Sequence, residues 1–230
     1  MSLQKILLIN PNSSVATTDM MVQIAAEELP PGFSVNGVSA QRGPGMIVNQ
    51  GELDAAAPEV ERNWQQAEAG AGMQWSGVII SAFGDPGIER VRAASKVPVA
   101  GICEASMLEA AEHGRRFGIA TVTPELVEAI NGRADELGLL DRYTGIRLTS
   151  GDPRQLAADP HALEEALADA VRLCIEEDGA QAVIIGGGPL GQAAIALARR
   201  FSVPVIAPIP AAVRFLLRQL KAGSAPRAAA

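Results

Sequence analysis

Aromatic residues are nearly missing from this sequence: they make up 3% of its 230 residues, with a single tyrosine, Tyr143. A chain so short of rings has little on which to stack nucleobases. It must build its interior from Ala, Val, Ile and Leu, as parallel sheets covered by helices do. Clustered positive charge is missing too. Acidic residues outnumber basic ones 26 to 19, giving a net charge of −7. The densest basic pairs, Arg115-Arg116 and Arg199-Arg200, sit just before apolar runs and read as solvated helix ends. No nucleic-acid partner is expected, because phosphate neutralisation needs grouped Lys and Arg. No membrane partner is expected either, since a polybasic anchor is absent.

The two cysteines, Cys103 and Cys174, have no C-x-x-C spacing. Neither a disulfide framework nor a zinc site follows, and no metal is expected. The two histidines, His113 and His161, form no H-E-x-x-H motif and no Ser/His/Asp order. His113, before Gly114, reads as a helix C-terminal residue well placed for the dipole. Long hydrophobic runs are absent as well. Only Ile6–Ile9 precede Asn10, too short for a signal-peptide core, and no run approaches the roughly 18 residues of a membrane span. Cytoplasm is the expected location. The last residues are rich in Ala, Gly, Ser and Pro, and 223–230 is expected to be a disordered tail.

What the sequence does contain is a steady alternation. The apolar runs Ile6–Ile9, Gly77–Phe83, Val97–Ile102, Phe117–Val122, Ala182–Ile185 and Val203–Ile209 are short, rich in Val and Ile, and closed by Gly, Pro, Asn or Thr. Continuous runs of this kind fit strands buried on both faces. Ser34–Ala40 and Ile146–Thr149 are weaker strands, expected nearer the sheet edges. Helical patterns lie between them. Ser14–Leu29 follows Asn12-Ser13 as its cap and stops at Pro30-Pro31, and Glu52–Ala71 and Leu163–Glu177 are long and amphipathic. Alternating β and α elements imply right-handed crossovers and a parallel sheet.

The chain also repeats itself. Val78-Ile79-Ile80 opens a Gly-containing loop, a helix and then Val97-Pro98-Val99. About half a chain later, Val183-Ile184-Ile185 opens the same series, ending in Val203-Pro204-Val205. Ile6–Pro11 likewise matches Ile119–Pro124. A repeat of this length suggests two similar α/β lobes of flavodoxin-like type, related by a pseudo-twofold axis, with a cleft between them. The first lobe is expected to take 1–98 plus 210–222, and the second 99–209. Loops after equivalent strands then converge on one cleft, as parallel sheets place ligands at the carboxyl ends of their strands.

Four such loops could carry chemistry. The first is Asn10-Pro11-Asn12-Ser13-Ser14: Asn10 and Asn12 offer donors and acceptors, and Ser13 can cap a helix or donate to a ligand. The second is Ser81-Ala82-Phe83-Gly84-Asp85-Pro86-Gly87, where Asp85 reads as an N-cap ahead of a base, and backbone amides could hold a carboxylate or enolate oxygen. The third, Gly186-Gly187-Gly188-Pro189-Leu190-Gly191, fits G-x-G-x-x-G by spacing. It lacks the acidic residue that a dinucleotide ribose needs, and no Walker lysine follows. The fourth is Ala120-Thr121-Val122-Thr123-Pro124, with Thr121 inside a strand and Thr123 at a helix mouth.

Taken together these residues resemble the aspartate/glutamate/hydantoin racemase family, nearest its hydantoin and allantoin branch. Asn10-Pro11-Asn12-Ser13-Ser14 is similar to the family's opening Asn-Pro-Asn-Thr-Ser. Gly43-Pro44 with Ile47 and Asp54 resembles its Gly-Pro loop. Phe83-Gly84-Asp85-Pro86-Gly87 matches its Cys-Phe-Gly-Asp-Pro-Gly motif after the first position. Val97–Ile102 with Glu104-Ala105, Arg115-Arg116-Phe117 and Val203-Pro204-Val205 also fall in place.

The resemblance implies a cofactor-independent racemase or epimerase acting on a small carbonyl or carboxylate compound of hydantoin, allantoin or amino-acid type. It also implies a homo-oligomer. Family members place one cysteine of each lobe on either side of the substrate, one removing a proton and the other returning it to the opposite face. Here those positions are Ala82 and Gly187, and Ala207 stands where relatives carry Asp. The substrate-binding residues implied are Asn10, Asn12, Ser13, Phe83, Gly84, Asp85, Thr121, Thr123, Gly186 and Gly188. A decarboxylase-type lyase and a catalytically silent ligand-binding homologue are the alternatives, because both thiols are replaced.

Overall fold

A computed structural model describes residues 3–70 and 74–224. In chain order it contains β1 (Gln4–Asn10), α1 (Val15–Glu28), β2 (Phe33–Ser39), α2 (Gln50–Ala69), β3 (Trp75–Ile80), α3 (Ile88–Ala94), β4 (Val99–Gly101) and α4 (Ile102–Ala110). These are followed by β5 (Phe117–Thr121), α5 (Val127–Glu136), β6 (Tyr143–Leu148), α6 (Pro153–Ala157), α7 (Pro160–Glu176), β7 (Ala182–Ile185), α8 (Gly191–Leu197), β8 (Val205–Ile206) and α9 (Pro208–Ser224).

The described strands form two parallel four-stranded sheets, ordered β2-β1-β3-β4 and β6-β5-β7-β8. The two orders are the same topology used twice, so the sequence repeat is a structural one. The weaker strands β2 and β6 lie at the edges, as expected. Val99–Gly101 pairs in register with Val78–Ile80. The boundary expected between residues 98 and 99 therefore falls before β4, whose pairing places that strand in the first sheet. α9 returns to pack on α1, α4, β3 and β4. Most of the expected tail, 225–230, lies outside the described residues.

The uninterrupted apolar runs have a simple cause. On β1, Ile6 and Leu8 enter a core shared by both sheets, while Leu7 and Ile9 enter an outer core under α2 and α3. On β7, Ala182 and Ile184 face the shared core, and Val183 and Ile185 face the outer core under α7 and α8. Each large side chain sealed this way contributes about 1.5–3 kcal/mol, which is why polar residues are excluded from both faces.

Local signals place the helices. α1 is capped by Ser14, whose side chain accepts from the Thr17 amide. The cap thus falls one residue later than the expected Asn12-Ser13. α2 is capped by Asn49, α6 by Asp152 and α7 by Asp159, the last two followed directly by proline. Among the described residues, no helix is long and apolar enough to cross a membrane.

Candidate active site

The loops after β1, β3, β5 and β7 meet at the carboxyl ends of the two sheets and enclose a small cavity of about 30 Å3. That is close to the share of one water molecule in the liquid. Its floor includes Ser81, Ala82 and Phe83 from the first lobe and Gly186, Gly187 and Gly188 from the second. Met46, Ile47, Val122, Leu126, Ile130 and Leu190 make the walls apolar. None of the described residues lining the cavity is an acid, histidine, lysine, arginine or cysteine.

Seven of the twelve expected site residues line this cavity: Asn12, Ala82, Phe83, Thr123, Gly186, Gly187 and Gly188. The other five stand behind it. Asn10 is fully buried, and its amide nitrogen donates to Asn12 Oδ1 at 2.8 Å and to Thr18 Oγ1 at 2.9 Å. Ser14 also donates its amide to Asn12 Oδ1 at 2.9 Å. With that oxygen committed, the Asn12 amide nitrogen is the end left for the cavity. Thr121 donates its hydroxyl to the Gly186 carbonyl at 2.6 Å and so ties β5 to the glycine loop. Its neighbour Thr123 is the donor in a long 3.4 Å contact with Thr121 Oγ1, since the Thr121 proton goes to Gly186; that bond is weak and leaves the Thr123 lone pairs for the cavity.

Ser13 serves a strap. Its amide donates to the Pro44 carbonyl and its hydroxyl to that of Gly43, each at 3.0 Å. Those bonds hold the segment 41–49, whose Met46 and Ile47 close the cavity. Glu52 Oε2 accepts from the Val48 amide at 2.8 Å and steadies the same strap.

Gly84 and Asp85 face away from the cavity and line a separate charged groove. Asp85 was expected to cap the helix that follows it. It instead caps α4, its two carboxylate oxygens accepting the amides of Cys103 at 2.9 Å and Glu104 at 2.8 Å. α3 starts from Gly87 with no side-chain cap, in the left-handed region at φ 75°. Asp85 is itself left-handed, at φ 50°. A Cβ on Gly101 would lie 2.2 Å from the Asp85 carboxyl carbon, so only glycine lets the carboxylate reach those amides. Burial pushes the Asp85 carboxyl up to about 6, against the pull of the two amides and of Arg133.

The glycine loop is glycine for contact rather than for phosphate. A Cβ on Gly188 would meet the Ser81 carbonyl at 2.5 Å, and one on Gly186 would meet the Phe83 ring at 3.2 Å. The two lobes touch through these missing side chains. Gly187 has an extended backbone, φ 161°, which any residue can adopt. Both cysteines lie outside the cavity lining; burial raises the Cys103 thiol well above its ordinary value and the Cys174 thiol to about 12. Among the described residues, no group of three or more His, Cys, Asp or Glu could hold a metal.

Sequence reasoning missed the wall residues Met46, Leu126 and Ile130. An apolar residue on a helix or loop carries the same signal whether it faces a core or a cavity.

A family model for Asp/Glu/Hydantoin racemase matches residues 6–216. The hydantoin racemase of Paenarthrobacter aurescens is 30% identical over 216 residues, covering 91% of this chain and 88% of that protein. The hydantoin racemase of a Pseudomonas species (strain NS671) is 29% identical, covering 92% and 84%. Among solved structures, the allantoin racemase from Klebsiella pneumoniae superposes with a TM-score of 0.88 at 27% identity, over 96% of this chain and 89% of that one. Two like sheets, a cleft at their carboxyl ends and a family match running from β1 into α9 make one case: this chain belongs to the Asp/Glu/hydantoin racemase family.

Proposed function

We propose that the cleft takes a small planar carbonyl compound of the hydantoin or allantoin type and acts at the carbon next to its carbonyl by proton transfer, without a cofactor. One observation carries this reading. The Asn12 amide nitrogen and the Thr123 hydroxyl, from different lobes, are polar groups left over at a cavity whose walls are otherwise apolar. The Asn12 amide suits an oxygen of a cyclic amide or of the enolate that forms from it, and the Thr123 hydroxyl, held only by a long 3.4 Å contact, can accept from a ring N–H or turn to donate. The apolar walls suit an uncharged ring better than the second carboxylate of aspartate or glutamate.

With Ala82 and Gly187 in the thiol positions, proton movement falls to a water held by Asn12 and Thr123. Water is a weak base at neutral pH, so turnover is expected to be slow. The Met46–Ile47 strap forms one wall of the cavity and is the part that a bound ring would displace. A cytoplasmic location and assembly with copies of itself belong to the same proposal and rest on the family resemblance; sedimentation velocity tests the second.

The test is exchange of the Cα proton in deuterated water, followed by NMR, with 5-substituted hydantoins, allantoin, aspartate and glutamate. Slow exchange with a hydantoin or allantoin supports the reading. A second reading, a ligand-binding homologue without turnover, is favoured by the lack of any ionisable lining residue. A thermal shift with no exchange supports that one. Neither shift nor exchange with any compound rejects both.

A further inference from the structure

Arg133, on α5 of the second lobe, makes ion pairs that reach the loop after β3 in the first lobe, the connecting helix α4 and its own helix. It lies on α5, is 9% exposed, and its Nη2 donates to Glu104 Oε2 at 2.8 Å. Its Nε stands 3.5 Å from Asp85 Oδ2 and has no hydrogen-bond partner. Nη1 donates to Glu136 Oε2 at 2.8 Å within α5. Glu104 is in turn held on both oxygens by Arg92 of α3, at 2.8 and 2.7 Å. Arg133, Arg92, Asp85, Glu104 and Glu136, two basic groups and three acidic, thus join α3, α4, α5 and the loop after β3.

The attachment points matter. Asp85 follows Ala82 and Phe83, which line the cavity from the first lobe. Leu126 and Ile130, which line it from the second, lie about two turns and one turn before Arg133 in the chain. The network therefore grips both walls from behind, without reaching the cavity. A buried ion network of this kind adds little net stability over an apolar filling, because desolvation offsets the attraction. What it does supply is fixed geometry: the guanidinium fork holds its carboxylates in set directions.

We propose that Arg133, acting through Asp85 and Glu104, is a positioning residue for the cleft that fixes the wall bearing Ala82 and Phe83 against the wall bearing Leu126 and Ile130. Its importance for a ligand rests on the cleft being the ligand site. Its mechanical role does not, and the two are separable by experiment.

Amide hydrogen exchange of the ligand-free full chain reads the mechanical role. Arg133→Met keeps the length and removes the charge; Arg133→Lys keeps the charge and loses the fork. In Arg133→Met, exchange is expected to rise about ten-fold or more in both 82–87 and 126–130 and at the amides of Cys103 and Glu104. Ile119 and Ile184, in the sheet centre, should keep their protection, and Arg133→Lys should restore part of the loss. A rise confined to α5, or a uniform rise across the chain, would overturn the proposal. If Arg133→Met does not fold because Arg92 alone must then balance Glu104 and Asp85, Glu104→Gln with Arg133→Met removes one charge of each sign together and is read in the same way. With 5-methylhydantoin as probe, affinity should fall in Arg133→Met and partly recover in Arg133→Lys. Failure of the native protein to bind any hydantoin or allantoin rejects the ligand site while leaving the exchange result readable.

Discussion

Ala82 and Gly187 line one cavity from two lobes, each two residues past the end of its strand, Ile80 of β3 and Ile185 of β7. β3 and β7 hold the same place in their sheets, so the two positions are equivalents in the internal repeat. The family resemblance implies that the acid and base of relatives stand at these two positions.

Placing thiols at both positions should therefore create a two-base site. Ala82→Cys with Gly187→Cys is expected to speed Cα exchange of a 5-substituted hydantoin on the order of 10²–10⁴-fold over the native chain. Either single variant should give less. The extended backbone at 187 accepts a side chain, but a Cβ would meet Leu190 Cγ and Cδ1 at 3.0 Å, so Leu190 must shift slightly. The cost is about 1–3 kcal/mol of stability. Exchange and racemisation are followed by NMR and polarimetry. A folded double variant with no exchange would mean that the cleft does not hold these substrates in a reactive pose.

The polar groups at the cleft can be tested one by one. Thr123→Val keeps the shape and removes a hydroxyl that has only a 3.4 Å protein contact. Loss of one hydrogen bond to the ligand should raise its dissociation constant about 2- to 12-fold with little change in melting temperature. Thr121→Val should behave in the opposite way, because its hydroxyl bonds the Gly186 carbonyl. Its stability should fall by about 1 kcal/mol or more. Calorimetry of binding and of unfolding separates the two. Equal effects on both measurements would sink the assignment of Thr123 to the ligand.

How much of this was legible in the chain depends on distance along it. β1, β3, β5 and β7 announce themselves because both faces are buried, and the repeat shows that they are arranged twice over. The cleft loops follow, since each begins where an apolar run ends. Asp85 shows the limit. Its capping role was readable from residue type, but its partners, the amides of Cys103 and Glu104, come from a helix in contact only after folding. The same holds for Ser13, whose bonds go to Gly43 and Pro44. Arg133 carried no signal, because a basic residue on an amphipathic helix is ordinarily a solvated one.

Glycine substitutions should divide sharply by what a Cβ meets. Gly188→Ala puts a methyl 2.5 Å from the Ser81 carbonyl, a backbone atom that cannot step aside. It is expected to destabilise the chain by about 1–3 kcal/mol and to disturb the cleft floor. Gly132→Ala is the contrast. Gly132 lies inside α5, is exposed, and has nothing within 4 Å of an added Cβ. Helix propensity and a less flexible unfolded chain should stabilise it by about 0.4–1 kcal/mol. Urea denaturation measures both, and a Gly188→Ala variant as stable as the native chain would contradict the lobe contact described here.

Asp85 should give folding stability a distinct pH dependence. Burial lifts its carboxyl from the ordinary 3.8 to about 6, opposed by the Cys103 and Glu104 amides and by Arg133, and aided by Glu104. A raised value means that the folded chain holds this proton more tightly than the unfolded chain does. The stabilising contribution is therefore complete below the unfolded value and is lost as pH rises through about 6. By linkage it amounts to at most about 3 kcal/mol. Asp85→Asn cannot ionise, and it presents one amide nitrogen where an acceptor is needed, so it should be the less stable protein in acid. Its deficit should shrink as pH rises from about 4 to about 7, because the native chain then bears a buried charge that the variant lacks. Comparing the two proteins by urea denaturation across this range cancels the surface carboxylates that they share, including Asp178 and Glu165, whose values are lowered by Arg147 and Arg200. A stability difference that stays flat between those pH values would show that Asp85 does not titrate there and that its environment is more polar than its burial implies.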